Sequence, residues 1–217
     1  MMRGPQFEPA PGLTQSQRSA AARLAYALES PAAVAVLCGP RGVGKTLVLS
    51  YVAATRSAGG VACVQCTARD GVPAHATAGI LLVDDAHLVT AGELAAIVDT
   101  WRRRVPAGGL VLAGEGRLLT LVARDERLEQ AIVLRAVLRS FTLAESNLAV
   151  AAWLEEACAP DDRAAVVRAI HEIAAGIPAQ VVRLAELVRT VAASTPAGRL
   201  TPDHVEAVHR RLSPQAA

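Results

Sequence analysis

Apolar and polar positions alternate along this chain in two different rhythms. Up to about residue 143, short continuous apolar runs are separated by helical patterns. Ala33–Cys38, Val61–Cys66, Ile80–Val83 and Gly109–Gly114 are such runs, each of a length and composition that suits a strand covered on both faces of a parallel sheet. A first helix is expected from Thr14, with Gln17 in the capping-box position and Ala20, Leu24, Ala25 and Leu28 on one face, ending at Pro31. Leu47–Ala54 reads as a second helix. A third starts at Thr90, runs through Leu94, Ile97, Val98 and Trp101, and closes on Arg102-Arg103-Arg104. Leu118–Glu129 reads as one further helix and Ser140–Leu143 as a last short strand. The segment Thr67–Gly79 is polar, with Gly71 and Pro73, and leaves room for a turn or two only. From Ala144 the rhythm is helical throughout: helices are expected over 144–157, from Pro160 through Ile173, from Val181 to Val191, and from Thr201-Pro202-Asp203 to about Leu212. The expected organisation is an N-terminal arm over 1–13, an α/β core over 14–143, a small helical lid domain over 144–212 and a tail over 213–217.

Between the first strand and second helix stands Gly39-Pro40-Arg41-Gly42-Val43-Gly44-Lys45-Thr46, followed by Leu47. It matches the phosphate-loop pattern G-x-x-x-x-G-K-[ST] in the strand–loop–helix context that the pattern requires. Glycines at 39, 42 and 44 let backbone N–H groups turn toward phosphate oxygens. The helix then begins at the phosphate, so its free N–H groups and dipole add to the attraction. Lys45 is expected to reach the β- and γ-phosphates, and Thr46 to place its hydroxyl on Mg²⁺. The residues 39–47 together are the expected nucleotide-binding segment. A second motif is Ile80-Leu81-Leu82-Val83-Asp84-Asp85, a buried strand ending in an acidic pair. Asp84 is expected to hold Mg²⁺ through its water shell, and Asp85 to orient and polarise an attacking water. His87 either passes a polar contact to Asp85 or caps the strand end, the second being preferred. Glu115 follows the strand 109–114 and is expected beside the γ-phosphate position, because ligands gather at the carboxyl ends of parallel strands.

Composition narrows the classes of function. The chain has 217 residues, of which 52% are hydrophobic and 3% aromatic, enough for a sizeable core and unlike a disordered chain. A formal net charge of +2 gives no general argument for nucleic acid or anionic membrane as a partner. No apolar run approaches the roughly 18–20 residues that span a bilayer. Residues 1–12 have no apolar core behind their single arginine, so no secretory signal is expected and a cytoplasmic location is. Four cysteines in a chain of this class do not read as a disulfide framework. Cys63 and Cys66 form a C-x-x-C, but on a strand they point to opposite faces, and no second pair follows at zinc spacing. The arginine trio 102–104 reads as positive charge at a helix C-terminus in preference to a nucleic-acid contact.

The order of motifs resembles the AAA+ ATPases, in particular the group of general-secretion-pathway protein A ATPases, transposition-regulator ATPases and origin-recognition-type domains. The resemblance rests on 39–46, 80–87, Leu110–Leu118, Arg127-Leu128-Glu129-Gln130 and Gly176-Ile177-Pro178. It implies an α/β P-loop NTPase three-layer core with a parallel sheet, a helical AAA+ lid, ATP and Mg²⁺ as ligands, and self-association or a partner protein. It also implies arginines where this chain has none. Ala131 stands where an arginine often follows the glutamine, and Ala179 where one follows the proline; Arg135 and Arg183 are the nearest downstream arginines and, with Glu115, the sensor or interface candidates. Asp85 replaces the usual glutamate and is one methylene shorter. These departures point to slow hydrolysis or to a site completed by a partner. Three readings follow. The first is an ATPase coupled to lid movement or assembly, with Lys45 and Asp85 catalytic and secretion or envelope machinery favoured as its setting. The second is a catalytically weak ATP-binding switch or scaffold. The third is a DNA-transposition or replication regulator, which the modest charge does not favour.

Overall fold

The computed structural model describes residues 13–155, 157–193 and 200–212. Residues 1–12 of the arm expected over 1–13, and the tail expected over 213–217, lie outside them. The chain divides into two compact units, one over Ser16–Ser140 and one built on the chain from Phe141 onward.

The first unit is a parallel sheet of five strands with helical crossovers. In chain order its elements are α1 (Gln15–Ala27), β1 (Val34–Cys38), α2 (Lys45–Ala58), β2 (Cys63–Thr67), β3 (Ile80–Asp84), a 3-10 turn (Ala86–Leu88), α3 (Ala91–Arg104), β4 (Gly109–Gly114), α4 (Gly116–Ala123), α5 (Glu126–Ala131) and β5 (Ile132–Val137). The strand order is β2-β3-β4-β1-β5, and every pairing is parallel. The inner strands are the continuous apolar runs: β1 and β4 are buried along their whole length, and β3 up to Asp84. The edge strand β5 alternates instead, exposing Val133, Arg135 and Val137. Parallel pairing brings the carboxyl ends of β1, β3 and β4 to one edge of the sheet. All three phosphate-directed segments of the sequence therefore meet there.

The crossover from β2 to β3 has no helix, as its composition predicts. It is pinned at three points. The Ala68 N–H donates to Asp84 O at 2.8 Å, Arg104 Nη1 donates to Pro73 O at 2.7 Å, and Ala76 is fully buried in the core. The arginine trio thus has local work: Arg104 holds this loop, and Arg103 Nη2 reaches Thr100 Oγ1 at 3.3 Å.

Two expectations need correction. The helix expected over 118–129 is broken into α4 and α5 at Asp125, whose carboxylate accepts from the N–H groups of Arg127 at 3.0 Å and Leu128 at 3.3 Å and so starts a new helix. The last strand is β5 at Ile132–Val137, in register with β1 from Val34 to Cys38, and not the segment 140–143. Those residues start a helix instead. Thr142 caps α6 and forms a reciprocal capping box with Glu145.

The second unit is all helical: α6 (Leu143–Leu154), α7 (Pro160–Ile173), α8 (Pro178–Ala193) and α9 (Pro202–Leu212). Val150, Leu154, Val166, Ile170, Val181, Val188 and Val205 form its own core. Ser146 is fully buried there and is satisfied by His171 Nδ1 at 2.8 Å. Among the described residues no helix is long and apolar enough to cross a membrane.

Candidate nucleotide site

The site starts from the chain's need to leave a buried strand and enter a helix within a few residues. Gly39 makes the first turn. Its N–H donates to Gly114 O at 3.1 Å, and a Cβ at this position would stand 2.7 Å from Leu138 O. No larger residue fits between the ends of β4 and β5. Gly42 and Gly44 have φ of 82° and 95°, the left-handed region that glycine enters at no steric cost. Gly44 is also the N-cap of α2 and packs under Gln17, whose Nε2 would lie 2.5 Å from an added Cβ.

Gln17 is the loop residue that sequence reasoning missed. It lies on α1, is 4% exposed, and donates from Nε2 to Val43 O at 3.0 Å. Its place in the capping-box pattern hid this role. The available signal was a polar residue on the helix face otherwise occupied by Ala20, Ala21 and Leu24.

Lys45 is 7% exposed, and its Nζ donates to Gly39 O and Pro40 O, both at 2.9 Å. The loop therefore holds a buried ammonium against its own carbonyls, a charge that phosphate oxygens would meet. Pro40 and Arg41 are exposed, Val43 is buried, and Leu47 is half-buried on the first turn of α2. Thr46 Oγ1 donates to Asp84 Oδ2 at 2.5 Å, and Asp84 Oδ1 accepts from the Asp85 N–H at 2.8 Å. Adjacent oxygens in an Mg²⁺ octahedron with bonds of 2.0–2.1 Å are about 2.9 Å apart. The hydroxyl of Thr46 and the carboxylate of Asp84 stand nearer than that, so they face one another as neighbouring ligands would but must part slightly to admit the ion. The donor set, all oxygen with one carboxylate, also suits that ion.

Asp85 sits at φ 54° and ψ 29°, a left-handed conformation uncommon outside glycine, and it starts the 3-10 turn. Among the described residues the polar contacts of His87 go to the start of α4 and not to Asp85. Its Nε2 lies 3.4 Å from Glu115 Oε1, and its carbonyl accepts from Arg117 Nη1 at 2.6 Å. Glu115 in turn is the N-cap residue of α4, directly after β4. Burial pushes the nearby Cys38 thiol up, the Lys45 charge pulls it down, and Glu115 pushes it up. Both charges are thus felt at the loop-side end of β1.

The structure brings together Gly39–Leu47, Asp84, Asp85 and Glu115. It does not bring Arg135 to that edge. Arg135 stands opposite Val36 in mid-strand, with its guanidinium on Glu129 at 2.7 Å. Arg183 is exposed on α8 in the helical unit. Ala131 is buried at the end of α5. Cys63 and Cys66 are free thiols. Burial pushes Cys66 up to about 11, with Asp70 adding to the effect, and no metal-holding cluster occurs among the described residues.

No protein-family model matches the chain, and no curated protein matches it. Solved structures do. The Aeropyrum pernix ORC2 protein, in its ADPNP–ADP complexes, aligns with a TM-score of 0.69 at 14% identity, over 94% of this chain and 70% of that one. The Aeropyrum pernix ORC1 protein in complex with DNA aligns with a TM-score of 0.68 at 19% identity, over 93% and 66%. The Thermotoga maritima RuvB Holliday junction branch migration motor aligns with a TM-score of 0.64 at 18% identity, over 90% and 69%. At these identities the likeness is one of fold. The fold is the one these ORC and RuvB structures share.

Proposed function

We propose that this protein binds ATP with Mg²⁺ at the loop 39–47, hydrolyses it slowly, and uses the cycle in work on DNA. The observation that carries the nucleotide reading is the contact of Thr46 with Asp84. It joins the two motifs, far apart in sequence, into a single oxygen-donor pair one residue after the buried Lys45. Lys45 leaves its two carbonyls for phosphate oxygens, and the N–H groups of the loop and of the first turn of α2 cradle the chain of phosphates. Thr46 and Asp84 would hold the Mg²⁺, which neutralises charge on the β- and γ-phosphates when bound. Asp85 orients the attacking water and accepts its proton. Its side chain is one methylene shorter than glutamate, so a slow rate is expected. Self-association or a partner protein would supply the arginine that positions 131 and 179 lack.

The DNA setting is favoured over secretion or envelope machinery by the similar structures, one of them in complex with DNA and another a Holliday junction branch migration motor. The test is steady-state ATP hydrolysis against protein concentration, with and without duplex DNA, using Lys45→Ala as control. Turnover that rises with concentration and with DNA, and is absent in the variant, supports the reading. Stimulation should fall steeply with added salt, because DNA binding releases counterions. Turnover indifferent to DNA at low salt removes the DNA setting. Turnover no faster than that of Lys45→Ala at any concentration removes hydrolysis and leaves a nucleotide-binding switch.

A further inference from the structure

Asp85 is held by unusual means. Its backbone is left-handed, a conformation that persists only where the surroundings impose it. The turn that follows is short and has one internal closure, Leu88 N–H to Asp85 O at 2.9 Å. What braces this turn from outside is concentrated on His87. Its Nε2 faces the Glu115 carboxylate at 3.4 Å, and its carbonyl takes the Arg117 guanidinium at 2.6 Å. Its backbone lies so close to Gly114 that a Cβ there would stand 3.0 Å from His87 N and 3.2 Å from His87 Cβ. These contacts come from Gly114, Glu115 and Arg117, at the mouth of β4 and the start of α4, and Gly114 itself bonds to Gly39 through its carbonyl. The imidazole is 12% exposed, and its Nδ1 is buried with no partner among the described residues. An apolar side chain of similar size would avoid that unsatisfied nitrogen. The polar contact that the ring does make is the one at Nε2, toward Glu115.

We propose that His87 is a positioning residue for hydrolysis: a clasp that ties the turn carrying Asp85 to Glu115 and Arg117, and so to the strand end beside the phosphate loop. The inference rests on the ATPase reading above. A short aspartate has little side-chain reach of its own, so its carboxylate is placed by its backbone. A misplacement of about 1 Å at a reacting group can cost about 10²-fold in rate. The clasp touches none of Lys45, Thr46 or the metal-side oxygens of Asp84. Its loss should appear in turnover and not in nucleotide affinity.

The test uses the full chain with His87→Leu, His87→Gln and Arg117→Ala. The amide exchange of residues 85–89 is followed without nucleotide, MgATP affinity by a fluorescent analogue, and turnover at saturating ATP. In His87→Leu, exchange at the Leu88 amide is expected to accelerate and kcat to fall by about 10²-fold, with affinity unchanged. His87→Gln, whose side-chain amide can donate to Glu115, should recover much of the rate. Arg117→Ala, which removes only the bond to the His87 carbonyl, should show the same split in smaller measure and decides the matter if His87→Leu fails to fold. Unchanged exchange, an unchanged kcat, or a parallel loss of affinity and rate overturns the clasp while the ATPase reading stands. A wild-type chain that binds MgATP but never turns over removes both.

Discussion

Lys45 and Gln17 are both buried polar side chains bonded to carbonyls of the loop 39–44, and they should fail in different ways. Lys45 satisfies its ammonium with two loop carbonyls, Gly39 O in a buried place and Pro40 O in a partly buried one. In Lys45→Ala the space vacated by the long side chain lets water reach them from the exposed Pro40 side, so the fold is expected to survive. What is lost is a charged hydrogen bond to phosphate, worth about 1.5–3 kcal/mol, or roughly 10- to 100-fold in affinity for MgATP. Gln17 donates to Val43 O in a buried place. Gln17→Leu leaves that carbonyl without a donor, at a cost of about 1–3 kcal/mol in stability. Thermal melting and nucleotide titration of the two variants distinguish the roles. Lys45→Ala should melt close to wild type and bind poorly; Gln17→Leu should melt lower, with weakened binding as a consequence of a loosened loop. Equal melting of the two would mean that Gln17 is not an anchor of the loop.

Among the elements, the strands that read most plainly in the sequence are those buried on both faces. Val34–Cys38, Ile80–Val83 and Gly109–Gly114 are continuous apolar runs because the sheet covers them from both sides, and each carries its motif at its carboxyl end. β5 was not legible. It is an edge strand of alternating character, with Arg135 in its middle, and nothing local separates it from the end of a helix. Its place is set by pairing with β1, a long-range fact. The same reason hid the Asp125 break and the Gln17 anchor: each depends on which backbone groups lie within reach, and periodicity does not record that. The candidate metal pair Thr46–Asp84 was legible because each half has a fixed motif, whereas the proposed clasp at His87 has none. The helix start at Thr90 was marked by its cap, whereas the capping box at Thr142 was passed over for a strand. At Thr142 the cap also decides that residues 140–143 open a helix and do not extend the sheet. Thr142→Ala should therefore cost about 1 kcal/mol, the usual value of such a cap, measurable by denaturant unfolding. A neutral result would mean that tertiary packing alone fixes the start of α6.

At the scale of the molecule, two units with separate cores share one chain, and the nucleotide candidates are distributed unequally between them. Gly39–Leu47, Asp84, Asp85 and Glu115 all belong to the unit Ser16–Ser140, and only Arg183 belongs to the helical one. The α/β core packs around Val36, Leu81, Leu94, Trp101, Leu112 and Leu118; the helical core packs around Val150, Leu154, Ile170 and Val188. A ligand that binds only the folded form stabilises whatever unit must be intact to hold it, by RT ln(1 + [L]/Kd), which is about 2.7 kcal/mol at 100-fold excess over Kd. If the two cores melt as separate cooperative units, calorimetry of the full chain should resolve two transitions. MgATP should then raise the one that destroys the α/β unit and leave the other nearly in place. Lys45→Ala should abolish the shift without moving the baseline transitions. A single transition that moves as a whole with nucleotide would give a different picture. The two units would then unfold together, and the helical unit would share in the free energy of binding even though the phosphate-directed groups lie outside it.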